Sequence, residues 1–169
     1  MKLILSMLLL VSNFALADYH RSDYRIWSDF DKNCLDTRRE ILKRDARVVL
    51  WINKCVVKNG VWIDSYTGEL LKNVKTIDID HVVPLQYADS HGLTQQLKPK
   101  FGNDMSNLLV TSSHLNRSKG SKSISAWHPN MPYLCKYATI WKDVGVKYEL
   151  QYDEADRRFI SDTLTQCSK

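Results

Sequence analysis

The segment Ile77-Asp78-Ile79-Asp80-His81-Val82-Val83-Pro84-Leu85 constrains this chain more than any other. Apolar residues alternate with acids up to His81, the period of a strand with one buried face. Val74 to Val83 therefore reads as a strand, and Pro84 stiffens the turn that follows it. Asn107-Leu108-Leu109-Val110-Thr111 reads as a second strand, and Ser112 or Ser113 can cap a short helix carrying Leu115, Asn116 and Lys119. Strand, strand and helix in that order bring an acid, a histidine, an amide and the basic cluster Asn116-Arg117-Ser118-Lys119-Gly120 within reach of one another. Those are the parts needed to hold one hard cation against a phosphodiester and to activate a water beside it.

Each residue type has a chemical reason to be there. His81 is the candidate general base, because a neutral imidazole with an ordinary pKa of about 6.5 can take a proton from water near neutral pH. Asp80 and Asn116 offer oxygen ligands, which favour a hard cation of the Mg²⁺ type, with Mn²⁺ as the other candidate. Asp78 shares a strand face with Asp80 and could orient a water or a basic side chain behind the ligands. Asn107 could fix the loop that follows His81 through hydrogen bonds to its backbone. Arg117, Lys119 and Lys122 are the candidate phosphate-binding residues, giving affinity for any nucleic-acid backbone without sequence choice. His114 could be a further ligand, a substrate contact or a polar surface residue. Read singly, each of these residues has an ordinary structural use; their joint spacing is what points to chemistry.

The ends of the chain limit where this chemistry takes place. Lys2, the apolar run Leu3 to Val11 and Ala15-Leu16-Ala17 read as a secretory leader over residues 1–17, with an uncleaved anchor as the alternative. The remaining 152 residues, 18–169, suit one domain with a core of its own. Without the leader the formal charge falls from +5 to +4, a surplus too small to establish a nucleic-acid partner by itself. Cys34, Cys55, Cys135 and Cys167, in an exported chain, read as two disulfides. Three pairings are possible. Cys34–Cys55 with Cys135–Cys167 is preferred because each pair flanks a helical unit and leaves the middle of the chain clear. A zinc site is the competing reading, disfavoured by the wide spacings.

Around the central segment, residues 35–52 read as a helix capped by Asp36, with Arg38, Arg39, Lys43, Arg44 and Arg47 beside an apolar stripe. Asn59-Gly60 within Val56 to Ile63 reads as the turn of a β-hairpin. Residues 86–106 read as a polar connection with short helical pieces around Tyr87 and Phe101. Pro132 to Val144 and Asp153 to Cys167 carry helical spacings. The fold class expected is α+β, mostly helical, around a two-strand-and-helix core over about 74–129.

The segment from Asp78 to Pro129 resembles the HNH endonucleases, whose core is a ββα-metal finger. Its Asp-x-Asp-His-x-x-Pro start, and the nine-residue step from Asn107 to Asn116 followed by Arg117, are similar to the HNH domain of the RNA-guided CRISPR nucleases. The wider chain looks like a group of small exported bacterial HNH-family proteins. The shared order is a Cys-bearing helix, Gly-Val-Trp with Tyr-Thr-Gly, Asp-Ile-Asp-His-Val-Val-Pro-Leu, Asn-Arg-Ser-Lys-Gly, Trp-x-Pro and C-terminal cysteines. The resemblance implies a metal-dependent phosphodiesterase leaving 5′-phosphate and 3′-hydroxyl ends. It assigns His81 as base, Asp80 and Asn116 as ligands and Asn107 as the loop-orienting residue. The third letter of the motif is Asn116 rather than histidine, which favours Mg²⁺ or Mn²⁺ over zinc or nickel. The expectation is thus a periplasmic or secreted endonuclease acting on nucleic acid, DNA before RNA. The alternatives are an extracellular DNA-binding module without turnover and a secreted toxin paired with an immunity protein.

Overall fold

The computed structural model describes residues 18–169; the expected leader over 1–17 lies outside the described residues. Helix α1 (Thr37–Asp45) begins where Asp36 accepts a hydrogen bond from the Arg39 amide at 2.9 Å. The helix expected to continue to residue 52 stops at Asp45, and the chain becomes strand β1 (Ala46–Asn53). Val48, Val49, Trp51 and Ile52 are residues that suit a pleated strand better than a helix. Val48, Leu50 and Ile52 also stand exposed, so no helical stripe is buried there.

The expected hairpin exists, but its turn is elsewhere. Strand β2 (Val56–Ile63) runs straight through Asn59-Gly60 and pairs antiparallel with β1, so the chain reverses at Lys54-Cys55. Gly60 serves close packing instead: a Cβ there would lie 2.5 Å from the Val48 carbonyl and 2.6 Å from the Trp62 ring. Strand β3 (Leu70–Leu71) completes the sheet in the order β1-β2-β3.

The second sheet has two strands. Strand β4 (Ile77–His81) pairs antiparallel with β5 (Leu108–Ser112), from Ile77 opposite Ser112 to His81 opposite Leu108. Helix α4 (Ser113–Lys119) follows at once, with the Ser112 hydroxyl accepting from the Leu115 amide at 3.3 Å. The connection between the strands holds the short helices α2 (Leu85–Ser90) and α3 (Lys98–Gly102), as its apolar residues suggest. Helices α5 (Tyr133–Tyr148) and α6 (Glu154–Cys167) close the chain. None of the described helices is long and apolar enough to cross a membrane.

Strand β4 and its continuation feed two hydrophobic clusters. Ile77 and Ile79 join Ile41, Leu42, Trp62 and Val110, with the Trp62 indole donating to the Leu42 carbonyl at 2.7 Å. Val82 and Val83 join Phe101, Tyr137, Trp141 and Ile160 under α5 and α6. The result is a small α+β domain stapled by Cys34–Cys55 and Cys135–Cys167, the preferred pairing. Sequence separations of 21 and 32 residues are worth about 3–4 kcal/mol each in the chain-entropy account.

Two buried carboxylates pin the C-terminal helices. Asp156 on α6 accepts from Tyr87 Oη at 2.6 Å and from the Ser125 amide at 3.1 Å. Asp104 accepts from Lys147 at 2.7 Å and Tyr148 at 2.9 Å, both on α5. Burial pushes each carboxyl up, but these hydrogen bonds outweigh it and hold both below the usual carboxylate range. The unfolded chain therefore takes up protons first on acidification. The stabilisation is complete above about pH 4 and is lost as the pH falls through the depressed folded values. Asp156→Ala is expected to cost about 2–3 kcal/mol, because it strands the Tyr87 hydroxyl and the Ser125 amide. Urea unfolding at neutral pH, where an unchanged midpoint would remove this role, and again at acid pH, where the difference should shrink, checks both statements.

Candidate active site

His81 ends β4 with its ring buried, and its Nε2 lies 2.9 Å from the Gly102 carbonyl oxygen. A carbonyl can only accept, so Nε2 carries the hydrogen and the neutral ring keeps its lone pair on Nδ1. Burial pushes the His81 pKa down to about 4; the Gly102 carbonyl raises it, while Lys119 and Arg21 lower it. The imidazole is thus neutral at pH 7. Gly102 is itself tightly held, since a Cβ there would lie 2.5 Å from the Tyr24 carbonyl.

Asn107 is fully buried and clamps the chain just past His81. Its Oδ1 accepts from the Val83 amide at 2.8 Å, its Nδ2 donates to the Val83 carbonyl at 3.1 Å, and its own carbonyl accepts from the Val82 amide. Asp78 receives the Asn116 Nδ2 at 3.0 Å and the Ser113 hydroxyl at 3.1 Å, which couples β4 to α4. With Nδ2 committed to Asp78, Asn116 has Oδ1 left as its acceptor.

Asp80 is buried, and each of its oxygens has a partner. The Tyr66 hydroxyl donates to Oδ2, and the Lys119 ammonium lies 3.1 Å from Oδ1 while also donating to the His81 carbonyl at 2.8 Å. Burial pushes the Asp80 carboxyl up against the pull of Lys119 and Tyr66, and pushes the Lys119 ammonium down. The two side chains hold each other's charge in a dry setting.

A cleft of about 390 Å³ collects Asp80, His81, Asn116 and Arg117, joined by Tyr19 and Arg21 from the N-terminal segment. A larger cavity of about 630 Å³ lies between α5 and α6, but Val146, Leu150 and Ile160 line it and no histidine or carboxylate does. Five of the residues singled out from the sequence stand outside the cleft's lining: Asp78 and Asn107, which brace it from behind, and three basic residues. Lys119, expected to bind phosphate, is 0% exposed and is consumed by Asp80, because the α4 turn that aims Arg117 outward points Lys119 into the core. Lys122 is exposed and donates to the Ser118 carbonyl. His114 is exposed on α4.

Sequence reasoning missed Tyr66, Tyr19, Arg21 and Gly102. Tyr66 reads locally as part of a turn, and it does pack against Trp127 and Tyr137, with ring centroids 5.3 and 5.5 Å away. Its hydroxyl on Asp80 has no local signal. The others reach the site only through tertiary packing.

The donor set suits a hard cation. The ligand atoms that Asp80 and Asn116 present are oxygens, and a carboxylate oxygen with one hydrogen bond still has a lone pair to offer. Among the described residues no three His, Cys, Asp or Glu side chains converge on one point.

A family model described as GmrSD restriction endonucleases, C-terminal domain, matches residues 25–156. An uncharacterized secreted protein of the fungus Arthroderma benhamiae is 30% identical over 155 residues, covering 88% of this chain and 76% of the relative. The likeness is therefore not limited to the bacterial proteins expected from the sequence. No solved structure matches the chain.

Proposed function

The chain belongs to the family of GmrSD restriction endonuclease C-terminal domains, and on that premise we propose that it is an exported, metal-dependent endonuclease of the HNH type. The observation that carries this reading is the His81 imidazole, neutral, with Nε2 tied to Gly102 and Nδ1 left as the basic nitrogen. Asp80, Asn116 and Arg117 share its cleft. The strand, strand, helix order over residues 77–119 supports the finger assignment.

In this reading His81 Nδ1 removes a proton from a water, and the hydroxide oxygen forms a bond to phosphorus. The bond from phosphorus to the 3′-oxygen breaks, the leaving oxygen takes a proton from solvent, and the new end is a 5′-phosphate. Arg117 holds the phosphodiester by charge-assisted hydrogen bonds. Asn107 keeps the 82–83 backbone, and so the imidazole, in place. Tyr66 and Lys119 fix the Asp80 carboxylate. When bound, a Mg²⁺ or Mn²⁺ ion held by Asp80 and Asn116 supplies stabilisation of the charge developing on the phosphate.

DNA is the favoured substrate, and RNA uses the same phosphodiester chemistry. Two disulfides and a secreted relative support a periplasmic or extracellular setting. Incubation of purified protein with plasmid DNA and with RNA, in Mg²⁺, in Mn²⁺ and in EDTA, tests the proposal. Cleavage is expected with either ion and not in EDTA. Intact DNA and RNA under every condition would remove it.

A further inference from the structure

Residues 21–24 form a single 3-10 turn that lies before the segment matched by the family model, yet it builds one wall of the cleft. Tyr24 anchors it: the ring is fully buried against Phe101 and its hydroxyl donates to the Leu85 carbonyl at 2.8 Å. The Tyr24 backbone sits against Gly102, whose carbonyl orients His81. Asp23 reaches Lys98 at 3.7 Å, adding a second tie to α3. The turn is therefore packed on the same short helix that positions the imidazole.

This anchoring brings Arg21 into the cleft with Arg117. Arg38, Arg44 and Arg157 each bind a carbonyl or carboxylate. The side chains of Arg21 and Arg117 make no hydrogen bond or ion pair among the described residues. The acids nearby do not neutralise them: Asp80 is taken by Lys119 and Tyr66, and Asp78 by Asn116 and Ser113. Two guanidinium groups without partners in one cleft suit an anion with oxygens at two points.

We propose that Arg21 and Arg117 form a two-arginine clamp on the nucleic-acid backbone, gripping phosphates around the bond that His81 attacks. The clamp rests on the nuclease reading for its substrate but not for its test. Binding of a short fluorescein-labelled DNA oligonucleotide is measured in EDTA across a salt series, with the oligonucleotide checked for integrity. Arg21→Ala is expected to weaken binding about tenfold and to reduce the salt slope by about one. Arg21→Lys should keep the slope and recover part of the affinity, because the charge remains while the fork is lost. Arg157→Ala, on the far helix α6, should change neither. Arg21 is exposed, so the variant's thermal midpoint should match the parent. Unchanged affinity and slope in Arg21→Ala, or no binding by the parent protein, would overturn the clamp. Weakened binding in a protein that cleaves nothing under any metal would keep the clamp and remove the nuclease.

Discussion

Replacing His81 with alanine is expected to lower nucleic-acid cleavage by about 10²–10⁴-fold, the range for loss of a positioned general base. No other group in the cleft can take over the task. Asp80 is held by Lys119 and Tyr66, and the remaining cleft side chains that carry charge are arginines. The fold should survive, because the variant gives up one ring contact with Trp27, at 5.9 Å between centroids, and one hydrogen bond to Gly102. Losing the latter costs about 1–2 kcal/mol. Single-turnover cleavage of plasmid DNA, beside a thermal melt of the same preparation, separates chemistry from folding. Parent-like turnover in folded His81→Ala protein would end the mechanism proposed for this cleft.

Lys119→Met should destabilise the protein by about 3–5 kcal/mol. Methionine fills much the same space, so the loss comes from charge: Asp80 would be left buried with only the Tyr66 hydroxyl as partner, and the His81 carbonyl would lose its donor. The double variant Asp80→Asn, Lys119→Met should regain part of the loss, because the uncompensated carboxylate is gone. Urea unfolding of the four proteins gives the coupling. The alternative, a lysine reaching substrate phosphate, has the opposite signature, with stability kept and the salt dependence of binding reduced. A Lys119→Met protein as stable as its parent would return that lysine to the substrate.

Much of the candidate site is legible before folding is considered. Asp78, Asp80 and His81 sit on one strand, and Asn116 and Arg117 on one helix, so local periodicity predicts their grouping once β4 and β5 pair. Asn107 is readable for a related reason: it stands immediately before β5, opposite the turn after His81, and its amide reaches the backbone of Val83. The hydrophobic spacing of α5 and α6 is equally plain, while the cysteine pairing that staples them is the preferred one of three that the sequence allows.

Residues 46–63 show where local reading fails. Val48, Val49 and Ile52 fit a helical stripe as well as a strand, and only pairing with β2 decides between them. Asn59-Gly60 carries a strong turn signature, yet Gly60 is used for close approach to Val48 and Trp62 within a strand. The disulfide from Cys55 to Cys34 ties down the turn that actually forms.

From sequence alone came the acid-histidine strand, the amide-bearing helix, their order and the covalent staples, because these follow from contacts local in the chain or from residue types with few uses. Which lysine is buried, which tyrosine touches Asp80 and which arginine faces His81 were decided by the tertiary structure. Lys119 lies 39 residues from Asp80, Tyr66 lies 14, and Arg21 reaches the cleft only because Tyr24 packs on Phe101 and Gly102. A charged side chain has no fixed role until packing determines how much water it keeps.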